Sequence, residues 1–271
     1  MLLRRLSPLL GLTGLVLPAF LLAAVAAPQQ ARAAQACPRL QQSLPVPPPE
    51  PGSRPGAPAA VQASDYRHRI RPTHLGWPRR DIWCVWIEPG ASDGPAARWD
   101  RRWRQAVDAA LNEWSSLLPI VVVDDPQRAQ VQVLRRRPPL RGGRASHGRA
   151  ELELWKVQRD ERWALEPRVL VSISPAQRLE ATQATALHEL GHAFGLWGHS
   201  DVATDAMAAV PGAQPVLVLS ARDRATLLWL QQQPALGAGS GAVRPPEPAQ
   251  EQKRPGGGEG RPWRMDSGSD R

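Results

Sequence analysis

The stretch HELGHAFGLWGHS, residues 188–200, holds three of the six histidines of this chain. His188 and His192 are four residues apart, a spacing that places two side chains on one face of an α-helix, about one turn from each other. Two neutral imidazoles in that arrangement can bind one zinc ion at about 2.0–2.1 Å. Glu189 follows the first histidine and points to the side of the metal, where it can take a proton from a water molecule without being a ligand.

The end of the same stretch contains a predicted turn and a candidate for the third metal ligand. Gly195 can adopt the left-handed conformation that ends helices, and His199 follows after the turn. Three protein ligands and one water are typical of catalytic zinc, whereas structural zinc sites usually have four protein ligands. The sequence therefore predicts His199 as the third ligand, with Asp201 and Asp205 as the alternatives.

The stretch resembles the metzincin signature HExxHxxGxxH and is most similar to that of the matrixins, in which a serine follows the third histidine, as Ser200 does here. The signature places its third histidine ten residues after the first, where this chain has Gly198, and His199 lies eleven residues after His188. Glycine is well suited to absorb an extra residue in a turn. The resemblance thus implies zinc bound by His188, His192 and His199.

Two further features of the resemblance concern the surroundings of the metal. Met207 lies eight residues after His199 and matches the methionine that forms a hydrophobic floor under the zinc in metzincins. A methionine that only fills the core is the alternative. The single tyrosine, Tyr66, lies far upstream, so no tyrosine is placed to complete the zinc sphere as in astacin-like and serralysin-like enzymes. The resemblance covers about residues 81–233 and is motif-specific only from Ser174 onward.

The resemblance implies a fold and a function. The expected fold is a mixed α/β domain: a mostly parallel, twisted sheet of about five strands, three main helices and an active-site cleft. The expected function is that of a zinc metalloendopeptidase that acts on a protein or peptide, with Glu189 as general base. Alternatives are a secreted binding protein without catalysis, against which the intact Glu189 argues, and a zinc hydrolase of another substrate class.

A second metal is not assigned from the sequence. Matrixins carry a further zinc or calcium site with closely spaced histidines and aspartates, and the matching loop at residues 135–150 lacks that pattern. Calcium therefore remains without support in the sequence.

Hydrophobic periodicity predicts the elements of the domain. Helical spacing at residues 99–118 predicts one helix, Ser174 predicts the start of a second that ends near Phe194, and Ser220 predicts the start of a third. In metzincins an edge strand above the zinc binds the substrate backbone, and the alternating strand at residues 150–155 is the candidate. Five strands are predicted, at residues 81–88, 120–123, 129–134, 150–155 and 168–173.

The two ends of the chain have a different composition. Residues 1–36 predict a secretory signal, in which Arg4 and Arg5 precede an apolar run that is followed by small residues; an uncleaved membrane anchor is the alternative. Residues 37–78 predict a proline-rich linker or pro-region, residues 79–233 the catalytic domain, and residues 234–271 a disordered tail. We therefore expect a secreted or periplasmic protein without stable membrane association after signal cleavage.

The cysteines bear on a disulfide, and the net charge bears on nucleic-acid binding. Cys37 and Cys84 are the two cysteines, and they can form a disulfide outside the cytoplasm; a buried free thiol at Cys84 fits its apolar strand equally well. The formal net charge is +9, but no basic motif is interleaved with aromatic residues, so nucleic-acid binding is not expected. We expect a monomer.

Overall fold

In the part of the chain that the structure describes, a seven-stranded mixed sheet forms the centre of the fold, with three α-helices. The computed structural model describes residues 35–49, 64–140, 145–237 and 263–267. The predicted signal segment lies outside these ranges except for its last two residues. Among the described residues, none of the helices has the length and apolar character needed to cross a membrane.

The five predicted strands are present, and two more flank them. The strands are β1 (Gln42–Pro45), β2 (Trp83–Ile87), β3 (Ile120–Val123), β4 (Val131–Leu134), β5 (Gly148–Arg159), β6 (Arg162–Ile173) and β7 (Arg264–Asp266). The order across the sheet is β1-β5-β6-β4-β2-β3, with β7 also paired to β5. Strand β5 pairs antiparallel with β1, β6 and β7, whereas the pairs from β6 to β3 are parallel, so β5 runs opposite to the other six strands.

The helices are α1 (Gly94–Ser115), α2 (Leu179–Ala193) and α3 (Ala221–Gln231). Helix α2 begins four residues later than predicted, because its N-cap is Arg178 and not Ser174. The Ser174 N–H donates to the carbonyl of His147 at 2.7 Å and so extends the β5–β6 pairing, and the chain must turn before it can become helical. The start predicted at Ser220 is confirmed by a capping box between Ser220 and Asp223.

The described parts of the predicted linker, residues 37–49 and 64–78, contribute to the core, which corrects our expectation for them; residues 50–63 lie outside the described residues. Cys37, Tyr66 and Ile70 are fully buried, and β1 pairs with β5. Proline is compatible with β1 because this strand lies at the edge of the sheet, where fewer backbone N–H groups are needed for pairing. The few apolar residues of the segment, not its average composition, determine how it packs.

The predicted disordered tail also departs from expectation, because residues 264–266 form β7. Trp263 and Met265 are half-buried and pack against the main core, and two apolar side chains are enough to place a short segment that is otherwise polar. Strand β5 is therefore not an open edge: β1 and β7 cover its outer side. The rest of the tail prediction, residues 238–262 and 268–271, lies outside the described residues.

Of the two states considered for the cysteines, the structure has the disulfide, between Cys37 and Cys84. We expect that replacing both by serine lowers the free energy of unfolding by about 2–4 kcal/mol, because the bond restricts a loop with a sequence separation of 47 residues in the unfolded chain. Urea denaturation measures the change. The parent protein under reducing conditions should match the variant, and a difference near zero would contradict the stabilising role.

Candidate metal centre

Three imidazoles converge at the end of helix α2. His188 and His192 lie on the helix, and His199 lies in the loop that follows it. Their candidate ligand nitrogens all lie within 4.8 Å of one another, and the Nε2 atoms of His188 and His192 are 3.2 Å apart. The cluster is mostly buried and can hold a metal ion.

Two backbone carbonyls orient the helical histidines. Nδ1 of His188 lies 2.8 Å from the carbonyl oxygen of Ala206, and Nδ1 of His192 lies 2.8 Å from that of Leu196. A carbonyl can only accept, so each Nδ1 carries the proton and each Nε2 presents a lone pair that a metal ion could accept. Burial, followed by the nearby His188 and His199, lowers the pKa of His192 well below its usual value. His192 is therefore the neutral imidazole that ligation requires.

The loop after α2 brings His199 to the other two histidines. Gly195 has φ +108° and ends the helix as predicted, and its N–H donates to the carbonyl of His192 at 2.9 Å. Gly198 has φ +153° and lies directly against the Arg69 carbonyl oxygen. The Arg71 N–H donates to the Trp197 carbonyl at 2.8 Å. The extra residue in the motif is thus accommodated by a glycine that packs against the upstream segment.

We expect that Gly198→Ala weakens metal binding by the histidine cluster by at least tenfold, because the new Cβ would overlap the Arg69 carbonyl oxygen and the positive φ would be strained. Both effects displace His199. Zinc titration with a competing chelator measures the affinity. Gly212→Ala is the matched control, since its nearest contact would be the Ala203 carbonyl oxygen at 3.5 Å. Equal affinities in the two variants would show that His199 needs no support from this loop.

Glu189 is buried next to the histidine cluster. Burial raises the pKa of its carboxyl, and His188, the Ser267 hydroxyl and the Ala150 N–H oppose that shift. Its Oε2 has no hydrogen-bond partner among the described residues. Gly148 leaves room for this side chain, because a Cβ there would lie 2.6 Å from Glu189 Cγ. The site therefore contains a buried carboxylate with one oxygen that no described residue binds.

Met207 lies under the helix that carries the histidines and is fully buried. A Cβ on Gly191 would overlap its sulfur and would lie 2.8 Å from the Trp114 ring. The Trp114 indole N–H donates to the carbonyl of Leu187 at 3.0 Å. Gly191 is therefore needed for close packing of α2 on Met207 and Trp114.

Asp223 connects three parts of the site, and sequence reasoning missed this role. Its carboxylate accepts from the Ala206 N–H at 2.8 Å, from the Tyr66 hydroxyl at 2.7 Å and from the Met207 N–H at 3.4 Å. The Ala206 carbonyl in turn orients His188. Burial and Asp223 raise the pKa of Tyr66 well above its usual value, which keeps its hydroxyl protonated as a donor. The capping pattern at Ser220 signalled only the start of α3.

The two alternative ligands lie outside the histidine cluster. Asp205 and Asp201 each form an ion pair with Arg222 at 3.0 Å, and Asp205 also accepts from the Ser200 hydroxyl. These contacts hold the loop after His199. The structure thus groups the three predicted histidines and leaves both aspartates in a supporting role.

Cavities flank the cluster on two sides. The larger, about 420 Å³, is lined by His188, Glu189 and largely apolar residues such as Val216. The smaller, about 90 Å³, is lined by His199, by Trp197 and by the chain around Asp266. Trp197 is buried and stacks on His192 with ring centroids 5.5 Å apart, so it packs against a candidate ligand. The larger cavity therefore reaches both His188 of the cluster and Glu189.

No protein-family model matches the sequence, and no curated protein matches it. The metzincin assignment therefore stays a prediction that depends on the motif, on the histidine cluster and on the α/β fold.

Proposed function

We propose that this protein is an extracytoplasmic zinc metalloendopeptidase with a matrixin-like catalytic domain. The observation that supports it best is the convergence of three histidines beside a buried glutamate at the mouth of a cavity. Three imidazoles without a thiolate suit zinc, and a three-ligand set leaves a position for water or substrate.

The residues of the chain have separate tasks in the proposed reaction. His188, His192 and His199 would hold the zinc, which when bound activates water and polarises the scissile carbonyl. Glu189 accepts the proton of the attacking water on its free Oε2 and delivers it to the leaving amine. Burial raises the pKa of this carboxyl, which favours holding the proton between the two steps.

The disulfide supports the proposed location. Disulfides persist in secreted and periplasmic proteins and are rare in the cytosol. The bond between Cys37 and Cys84 lies within the folded domain, where both residues are buried. Together with the signal segment predicted at residues 1–36, it favours a protein that folds after export.

Zinc content and proteolysis test the proposal together. We expect one zinc per purified mature chain, and cleavage of a denatured protein substrate that stops with a chelator and returns with added zinc. A chain that contains no zinc would contradict the site. A zinc-loaded chain that cleaves nothing, even after the tail is released as described below, would favour the non-catalytic binding protein.

A further inference from the structure

The C-terminal strand β7 lies on the part of β5 nearest to the metal cluster. Its register pairs Asp266 with Glu151 and Arg264 with Glu153. One residue further on, the Ser267 N–H donates to the Ala150 carbonyl at 3.0 Å, and the Ser267 hydroxyl accepts from the Ala150 N–H at 3.1 Å. The backbone edge of β5 at residues 150–153 is therefore already paired.

The same segment contacts the chemical groups of the site. Ser267 is hydrogen-bonded to Ala150 at the end of β5 where Gly148 packs against Glu189, since a Cβ on Gly148 would lie 2.6 Å from Glu189 Cγ. Met265, Asp266 and Ser267 line the smaller cavity together with His192 and His199. The tail thus lies beside both the candidate general base and the candidate ligands.

The attachment of β7 is short. It has three residues, and its contacts include the Trp263 N–H bond to the Val46 carbonyl at 3.0 Å, an edge contact between Trp263 and His74, an ion pair between Arg264 and Glu153, and the packing of Trp263 and Met265 on the core. Strand β7 pairs with β5 alone and lies off the path that joins the other six strands. Displacing β7 would therefore leave the pairing of those six strands unchanged.

We propose that residues 263–267 are an intramolecular inhibitor that occupies the substrate position on β5. This inference rests on the proposed peptidase function. An extended peptide binds a sheet by adding a strand to a free edge, and β1 covers residues 155–158 of β5, so residues 150–153 are the edge beside Glu189. Strand β7 holds that edge, and the enzyme is latent until the tail is displaced or cut.

Variants of the full chain that weaken β7 test this inference. Ser267→Pro removes the N–H that donates to Ala150 and the hydroxyl that accepts from it. Met265→Asp places a charge at a half-buried position that packs against the core, and Met265→Leu is its matched control. We expect the first two variants to cleave a peptide substrate with kcat/KM at least tenfold above the parent, and Met265→Leu to match the parent.

A binding measurement separates this inference from catalysis. In Glu189→Gln chains, fluorescence anisotropy would follow a labelled peptide, Pro-Trp-Arg-Met-Asp-Ser-Gly, that copies residues 262–268. We expect Ser267→Pro and Met265→Asp to bind it at least tenfold more tightly than chains with intact β7, because the β5 edge is open. Thermal melting confirms that each variant is folded.

The outcomes distinguish the two proposals. If all variants cleave the substrate equally and bind the peptide equally, the inhibitory role of β7 is overturned, and the proposed peptidase function is unaffected. Slower cleavage with a lower melting temperature also overturns it, and makes β7 a purely structural strand. Tighter peptide binding without cleavage in any variant supports the covered edge and contradicts the peptidase.

Discussion

Glu189→Gln is expected to lower kcat for peptide hydrolysis by about 10²–10⁴-fold while the zinc content stays at the parental value. Glutamine keeps the shape of the side chain but cannot accept the proton of the attacking water. The side chain is buried and its Oε2 has no partner among the described residues, so nothing else in that position takes over the role. The three histidines are unchanged, and the metal remains bound.

Steady-state kinetics and metal analysis check this result, in the parent and in the Ser267→Pro background. Glu180→Gln is the matched control, because Glu180 lies in the first turn of the same helix and is exposed. It should change kcat by less than twofold. A loss of zinc in Glu189→Gln would mean that the glutamate holds the site together, and an unchanged kcat would exclude it as the general base.

Asp223→Ala is expected to destabilise the protein by about 3–5 kcal/mol, because it leaves several buried donors without an acceptor. Those donors are the Tyr66 hydroxyl and the backbone N–H groups of Ala206, Met207 and Ser220. The Ala206 carbonyl orients His188, so the affinity for zinc should also fall.

Urea denaturation and zinc titration measure the two effects of Asp223→Ala. Asp108→Ala serves as the control, since Asp108 pairs with Arg104 on the exposed face of α1 and exposed pairs of this kind contribute about 0.5 kcal/mol or less. If both variants lose the same stability, Asp223 is not the connection between α3 and the metal centre. A destabilised Asp223→Ala with parental zinc affinity would limit its role to the fold.

The central strands and the ligand helix could be predicted because their signals are local. Continuous apolar runs identify β2 and β6, and the spacing of His188 and His192 identifies one helical face. The predicted start of α2 was wrong because Ser174 forms a backbone hydrogen bond with His147, which is distant in sequence. Strands β1 and β7 were missed because their segments are polar or proline-rich on average. Only a few buried side chains in each segment determine where it packs.

The candidate site shows the same division. Gly195, Gly198 and the three histidines lie within one short stretch, so their relation can be deduced from spacing. Gly148, by contrast, leaves room for the side chain of Glu189, which is distant in sequence. Asp223 accepts a hydrogen bond from the distant Met207 N–H. No local pattern marks such residues, because their role is defined by a partner that is far away in sequence.

The disulfide has a consequence for the biogenesis of the metal centre. The loop that it closes, residues 37–84, contains Arg69 and Arg71, whose backbone contacts support the turn before His199. Oxidation of one cysteine pair is thereby linked to the assembly of the third ligand. A reduced chain would lack this restraint on the loop, so the proposed export of the chain and the assembly of the candidate metal site would depend on the same oxidation.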